Sequence, residues 1–571
     1  LSFDVTQRGF ISNVLFQTAS RTNKPQTTNI ERVIMATQTL AMPAQTDYPT
    51  GLKRWVIVIT AISAAIIELI DISIVNVGLT DIAGNLGVTI EDVAWVVTAY
   101  AIANVIVIPM TGFLQRYFGR KNYFITSIII FTVASYGCGF ADNLWTLVAF
   151  RFLQGIGGGA LLSTSQGILF DAFPPANKAL ASALFGMGIV LGPTLGPTLG
   201  GYIIDNYHWS WMFYINAPIG ILAVFLSYTY LDKKPEEENI NRSAIKIDQF
   251  GIFLLAVGIG SLQYVLERGE ADDWFDSNTI LCLSIAAVIA IPLFVWWELR
   301  GTKDPVVDLR ALKNRNLAVG SLLMIIIGYG LFTSVLLYPL FAQRIVGLTA
   351  TQTGQLLIPG GLVTLPMFAL VGRLLSKKVS PTLLVGIGYV AFASFCFILS
   401  TYNMDASNGD FIFGLIIRGI GLAFVNVPLI NQSVATLEPR QLPTGIAIVN
   451  MTRQIGGAFG VAITNTYVTQ RVAVHRGDLV SNLQPGDMLT TERLNVITQG
   501  LMAKGINAFD AVTGAYRNLD LIVSRQALML SYLDTFKLAG LFFVVSFPLL
   551  FLLQNRKMDA ARAKAVADAA H

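Results

Sequence analysis

The sequence predicts an all-α membrane protein of fourteen transmembrane helices, and two observations carry that expectation. The chain is 54% hydrophobic and only 13% charged, with a mean hydropathy of +0.60, whereas a soluble chain carries roughly a quarter charged residues. Apolar runs of about twenty residues, enough for a helix to cross a hydrocarbon core of roughly 30 Å, recur from Trp55 almost to the C-terminus.

The hydropathy pattern places the spans at 54–79, 93–113, 122–140, 144–170, 180–204, 211–231, 248–267, 279–299, 317–343, 353–375, 381–401, 411–435, 442–468 and 532–554. Basic residues check the count independently. Alternate loops carry Lys53 and Arg54, then Arg116, Arg120 and Lys121, and later Arg373, Lys377 and Lys378, while the opposite short loops carry only Arg268 and Arg344. Such alternation implies an even number of spans with both termini cytoplasmic. The formal charge of +4 therefore orients helices, and no nucleic-acid partner is expected.

Residues 1–50 are polar and irregular and read as a disordered N-terminal tail or translated leader, with Met35 and Met42 as candidate starts. Cys138, Cys282 and Cys396 fall in three different apolar runs, which disfavours a disulfide or a metal site. His208 and His475 fall in expected loops and His571 is terminal, so a proton path through the membrane has to use carboxylates. There is no Gly-x-x-x-x-Gly-Lys-Ser/Thr loop, no His-Glu-x-x-His and no Gly-x-Ser-x-Gly elbow; neither an ATP-driven pump nor an enzyme is expected, and no catalytic residue or cofactor is assigned.

An internal repeat suggests two halves. Gly155, Gly157, Pro175, Gly192 and Gly196 recur at one offset as Gly419, Gly421, Pro439, Gly456 and Gly460. This predicts an N-terminal six-helix bundle at 51–231, a linker with two inserted helices at 232–316, a C-terminal six-helix bundle at 317–555 containing an external loop at 471–531, and a cytoplasmic tail at 556–571. Leu494, Ile497 and Leu501 in that loop are spaced for an amphipathic helix, read as a lid, a membrane-surface helix or a docking surface.

Four stretches then carry a family likeness: Leu69-Ile-Asp71-Ile-Ser-Ile-Val-Asn76, Gly112-Phe-Leu-Gln-Arg-Tyr-Phe-Gly119-Arg120-Lys121, Arg151-Phe-Leu-Gln154-Gly155-Ile-Gly157, and Gly192-Pro193-Thr-Leu-Gly196-Pro197-Thr-Leu-Gly200-Gly201. The run Trp209 to Gly220, with Asn216 and Pro218, continues it. In this order the chain resembles the fourteen-helix drug:proton antiporter branch of the major facilitator superfamily, the EmrB/QacA type. The resemblance implies a major facilitator fold of two six-helix bundles plus two inserted helices. It also implies proton-driven multidrug efflux across the inner membrane, of the kind that confers antibiotic resistance. For members in double-membraned bacteria it implies a periplasmic adaptor protein and an outer-membrane channel. Gly112, Gly119, Arg120 and Lys121 correspond to the cytoplasmic gate, and Gly192, Pro193, Gly196, Pro197, Gly200 and Gly201 to the antiporter helix. The chain departs from the pattern at Arg116, where the family's loop motif has an aspartate thought to latch onto the other bundle, and at Thr80, where proline is common.

Ionised groups cost roughly 2.5 to 3.5 kcal/mol each at a helix centre, so those that persist in spans usually have a task. The spans hold Glu68, Asp71, Arg151, Arg418 and Arg453. At about 1.5 Å of rise per residue, Asp71 lies about 24 Å from the cytoplasmic edge and Arg151 about 9 Å below the external one, so the two reach similar depths. Asp71 helped by Glu68, with Arg151 as switching partner, is the expected proton-coupling group, set against a permanent salt bridge that only locks helices. Arg418 and Arg453 are candidates for substrate contact or a second-bundle gate, or for helix-bundling bonds to residues such as Asn426 and Asn450. Tyr100, Phe185, Tyr329, Phe332 and Phe424 are candidate cavity aromatics. The alternatives to multidrug antiport are a facilitator, an exporter of one metabolite such as a fatty acid or siderophore, and a non-transporting membrane sensor.

Overall fold

A computed structural model describes residues 48–553 apart from 175–176, 234–245, 303, 405, 439–440 and 485. Most of the expected N-terminal tail, Pro175, Pro439 and the tail from 556 lie outside the described residues. Fourteen helices are long and apolar enough to cross a membrane, and no strand occurs among the described residues.

The first six spans are α1 (Gly51–Leu86), α2 (Trp95–Phe118), α3 (Arg120–Gly139), α4 (Leu144–Ala172), α5 (Lys178–Asn206) and α6 (Asn216–Tyr230). An inserted pair, α7 (Gln249–Arg268) and α8 (Asn278–Trp296), follows. The last six spans are α9 (Arg315–Phe341), α10 (Ala350–Ser376), α11 (Pro381–Leu399), α12 (Asn408–Val434), α13 (Leu442–Ser481) and, after the shorter α14 (Met488–Ala503), α15 (Ala508–Ser546).

Within the first half α1 packs on α4, α5 and α6, and α4 on α2 and α3; within the second α9 packs on α13, and α12 on α10 and α11. The halves meet along two seams, α5 against α10 and α12, and α2 against α13. Helix α7 lies over the second seam, touching both α2 and α13, while α8 packs chiefly on α7. Trp274, beyond α7, donates from Nε1 to Thr466 of α13, and Arg268 donates to the Glu91 carbonyl in the first half. The inserted pair thus ties the two halves along one seam and leaves the other uncovered by it.

Glycines explain the repeat. A Cβ on Gly155 would strike the Tyr100 carbonyl at 2.5 Å and one on Gly157 the Phe131 nitrogen at 2.6 Å; on Gly419 it would meet the Gly360 carbonyl at 2.7 Å and on Gly421 the Phe392 nitrogen at 3.0 Å. Gly192 and Gly196 sit on Leu69, Ile70 and Ser73 of α1, as Gly456 and Gly460 sit on Ile325 and Tyr329 of α9. Each half therefore repeats the same three close crossings, as small-residue membrane packing requires. Helix α5 stays continuous through Pro193 and Pro197.

The expected external loop is mostly helix. Helix α13 runs 40 residues and α15 runs 39, about 60 Å each at 1.5 Å per residue, twice the hydrocarbon thickness. Their polar ends are stitched by Arg471 and His475 to Asp534 and by Arg476 to Asp520 at 2.7 Å. Hydropathy falls along these stretches while the helical pattern continues, so helix extends beyond the expected spans, past 468 in α13 and before 532 in α15. Helix α14 has no buried residue, and its Met488, like Phe509 of α15, is about four-fifths exposed.

Candidate functional site

Asp71 is fully buried and accepts from three side chains on two neighbouring helices. Arg151 Nη1 donates to its Oδ2 at 2.5 Å, and Gln154 Nε2 and Asn216 Nδ2 donate to Oδ1 at 2.8 and 2.9 Å. Arg151 is held in turn by the Val96 carbonyl at 3.1 Å, by Gln154 Oε1 at 2.8 Å, and by the Tyr100 ring 4.3 Å away. Asn216 also donates to Ser135, which donates to the Phe213 carbonyl. The geometry joins α1, α4 and α6 through one carboxylate. Every donor aimed at Asp71 suits an anion, which only accepts.

Glu68, one turn away, joins a different set. Its Oε1 accepts from Asn104 Nδ2 of α2 at 3.1 Å, while its Oε2 has no hydrogen-bond partner. Arg453 of α13 lies within electrostatic reach of Glu68 and leaves its own Nε without a partner. Asp71 therefore looks into the first half and Glu68 toward the seam with the second.

Arg418 and Arg453 do not pair with Asn426 and Asn450. Arg418 Nε donates to Ser334 Oγ of α9 at 2.9 Å, and Asn426 Nδ2 donates to its own helix at the Leu422 carbonyl. Asn450 instead crosses the seam, donating to Ser163 and Gln166 of α4 at 3.1 and 3.3 Å. Arg418 thus makes a helix-bundling bond, but to Ser334 and not to an asparagine, since depth along a helix says nothing of which face it turns to a neighbour.

Of the gate residues, Gly112 touches the other half: a Cβ there would lie 2.8 Å from Thr444 Oγ1 of α13. Gly119 turns the chain between α2 and α3 with φ +82°, a conformation that favours glycine. Arg120 pairs with Asp171 of α4, and Lys121 donates to the Tyr228 carbonyl of α6, both inside the first half. Arg116 donates to the Pro305 carbonyl at 3.3 Å, in the segment between the inserted pair and α9. The latch position is thus occupied by a cation that holds the linker.

A cavity of about 530 Å³, counting the space open at its mouth, lies on the seam that α7 leaves uncovered, between α5, α9, α10 and α12. Pro193, Pro197, Leu331, Tyr338 and Arg418 are among its lining residues. The five candidate aromatics do not line this cavity: Tyr100, Phe185, Tyr329 and Phe424 are buried in packing, the commoner position for membrane aromatics, and Phe332 abuts Gly457. Cys138 and Cys396 are buried and Cys282 is exposed on α8, all three as free thiols.

Reasoning from sequence named Gln154 and Asn216 as motif residues without assigning them a contact, and did not single out Asn104 or Ser135. Their signal was present in each case as a polar side chain inside an apolar run, but an amide costs less there than a charge and stands out less.

Residues 61–461 match the family model described as Major Facilitator Superfamily. The chain is 36% identical to the Multidrug export protein EmrB of Escherichia coli (strain K12) over 77% of this chain and 85% of that one. It is 32% identical to the Fatty acid resistance protein FarB of Neisseria gonorrhoeae over 89% of this chain and 97% of that one. The human organic anion transporter MFSD10 (TETRAN) superposes with a TM-score of 0.55 over 88% of this chain and all of that one; at 14% identity it shows the fold alone. With fourteen membrane-crossing helices, a superfamily match across most of the chain and extended identity to such relatives, the chain belongs to the major facilitator superfamily, on the branch of the EmrB-type multidrug export proteins.

Proposed function

We propose that the chain exports amphiphilic or hydrophobic small molecules, drugs among them, across the inner membrane in exchange for protons, and that Asp71 carries the proton. The observation that supports this is a carboxylate sealed in the membrane core with Arg151, Gln154 and Asn216 all donating to it. Protonation removes the charge that Arg151 balances and makes one acceptor site a donor, so the contact with Arg151 weakens. Arg151 then keeps the Val96 carbonyl, Gln154 Oε1 and the face of Tyr100, and the hold of α1 on α4 loosens. Glu68 and Arg453 face each other across the seam within electrostatic reach, positioned to respond when the halves tilt. One proton crossing 100 mV supplies about 2.3 kcal/mol, enough to concentrate a substrate outward roughly fiftyfold.

The basic end of the bundle, with Lys53, Arg116, Arg120 and Lys178, is assigned to the cytoplasm. Near that end Ser182 Oγ of α5 donates to Asn431 Oδ1 of α12 at 3.0 Å. Cysteines at 182 and 431, bridged by a short cross-linker, are expected to trap the chain with this end closed and stop export, and reduction of a cleavable bridge to restore it. Export that continues through the bridged protein would rule out opening along this line.

The hairpin of α13, α14 and α15 on the opposite side, with Met488 and Phe509 exposed, is assigned as the seat of a periplasmic adaptor that passes substrate to an outer-membrane channel. A photo-cross-linker at Arg493 is expected to capture one such partner in cells, and labelling of lipid alone would replace the adaptor with a membrane-surface role.

Reconstitution into liposomes with an imposed pH gradient tests the export reading. Substrate-triggered proton release is expected, and downhill flux of the same compounds with no proton movement would identify a facilitator instead.

A further inference from the structure

We propose that the cavity between α5, α9, α10 and α12 takes amphiphilic anions, with the anionic head at Arg418 and the apolar body along the proline face of α5. This assignment deepens the export reading and rests on it, since it names the substrate class of that transport path.

The chemistry of the lining carries the assignment. Its walls are largely apolar, with Ile189, Val190, Pro193, Pro197, Leu331 and Val335 among them, and neither Asp nor Glu lines the cavity. Arg418 is its one charged side chain. A guanidinium keeps its charge at any working pH, and a charge held in the membrane interior usually finds an opposite one. Arg151 has Asp71 directly against it. Arg418 has only a neutral hydroxyl, that of Ser334, as hydrogen-bond partner among the described residues, and no carboxylate within ion-pair distance. Two arginines at comparable settings have thus been treated differently: one is given an anion by the fold, and the other is given space.

A second donor points the same way. The Tyr338 hydroxyl is buried, lines the cavity, lies within electrostatic reach of Arg418 and has no hydrogen-bond partner. Buried donors are rarely left so, and an oxyanion placed between Tyr338 and Arg418 would satisfy both with charge-assisted bonds. Asn426 Oδ1 is an unpaired acceptor at the same wall and suits a hydrogen-bond donor elsewhere on the ligand. A smaller adjoining space of about 230 Å³, floored by Gly360, Gly361 and Gly419, shares Arg418. Arg418 lines both spaces, so a head fixed there lies beside the apolar wall that would take the rest of the ligand. A cation would meet Arg418 with no carboxylate to balance it.

The test is equilibrium binding to the full chain in nanodiscs at pH 7, using three probes with one apolar body: 2-naphthylacetate, 2-naphthylethanol and 2-naphthylethylammonium. The acetate is expected to bind at least tenfold tighter than the alcohol, and the ammonium weakest. Arg418→Gln should bring the acetate down to the level of the alcohol, Arg418→Lys should keep part of the preference, and Tyr338→Phe should weaken the acetate severalfold. Leu357→Trp, which fills the cavity from α10, should weaken all three and serves if Arg418→Gln does not fold. Equal binding of acetate and alcohol to the native chain, an undiminished preference in Arg418→Gln, or unaltered binding in Leu357→Trp would each overturn the assignment. No gradient is involved, so a chain that selects the anion here yet moves no protons in liposomes sinks the coupling and leaves this site standing.

Discussion

Asp71→Asn is expected to abolish proton-driven accumulation of substrate, reducing an outward gradient of roughly fiftyfold to none. The amide preserves the shape of the carboxylate, and its oxygen still accepts from Arg151 while its nitrogen faces the donors Gln154 and Asn216. What it cannot do is gain and lose a proton. The variant also removes the countercharge of Arg151, and breaking one side of a buried ion pair costs about 3 to 5 kcal/mol. That cost is offset here by what Arg151 keeps: the Val96 carbonyl, Gln154 Oε1 and the Tyr100 ring. The protein is therefore expected to reach the membrane with a lowered thermal midpoint. Asp71→Asn combined with Arg151→Gln, which removes both charges, should regain stability without regaining coupling. Measured in liposomes with a fixed pH gradient, proton-coupled export at native rate by the single variant would refute the role of Asp71. Recovery of coupling along with stability in the double variant would reduce the pair to a helix lock. Glu68→Gln keeps an acceptor for Asn104 but removes the charge that faces Arg453, and should weaken coupling less than Asp71→Asn.

The meeting of Asp71 and Arg151 was legible from depth along the helices together with the adjacency of the first and fourth helices that the family resemblance implies. Both lie on long helices with a fixed rise, so counting residues from the membrane edges gives depth, and two opposite charges at one depth in oil have strong reason to find each other. Azimuth is not carried by that count. Nothing in the sequence tells which face of α13 turns to α4, and so Asn450, one of the candidate partners for an arginine of its own half, reaches Ser163 and Gln166 in the other. Span ends failed for a different reason: hydropathy marks where lipid stops, not where helix stops. Past residue 468 the sequence of α13 turns polar, yet it contains no proline before residue 485 and only one glycine, Gly477, so the backbone hydrogen bonds carry on to Ser481. Arg116 shows the remaining limit. Its departure from the family pattern was visible, but its partner, the Pro305 carbonyl 189 positions away, belongs to a segment with no pattern of its own.

Glycine-to-alanine substitutions are expected to change sign with position, and the contrast between Gly328 and Gly477 makes the sharpest test of how the halves are held. On its own backbone terms the change favours helix by roughly 0.5 to 1 kcal/mol, because alanine loses less freedom on folding. Gly477 lies on the part of α13 beyond the expected membrane span, and a Cβ there meets nothing within 4 Å, so Gly477→Ala should raise the thermal midpoint slightly. Gly328 lies where α9 crosses α13, and a Cβ there would fall on the Arg453 carbonyl, 2.9 Å from its carbon and 3.0 Å from the Gly457 nitrogen. These are backbone atoms that no rotamer change can move aside, and a Cβ on Gly456 of the same crossing would come within 2.7 Å of the Ile325 Cα. The two helices must part, and overpacking of this kind costs about 1 to 3 kcal/mol, occasionally more. Gly328→Ala should therefore lower the midpoint by several degrees in detergent, and Gly328→Val should leave little folded protein in the membrane. Because the displaced strip of α13 carries Arg453, the alanine variant should also lose export out of proportion to its stability, as Arg453 is pushed from Glu68. Gly328→Ala as stable as the native chain would mean that α9 and α13 do not cross backbone to backbone, and the crossing could not then act as the second half's counterpart of α1 on α5.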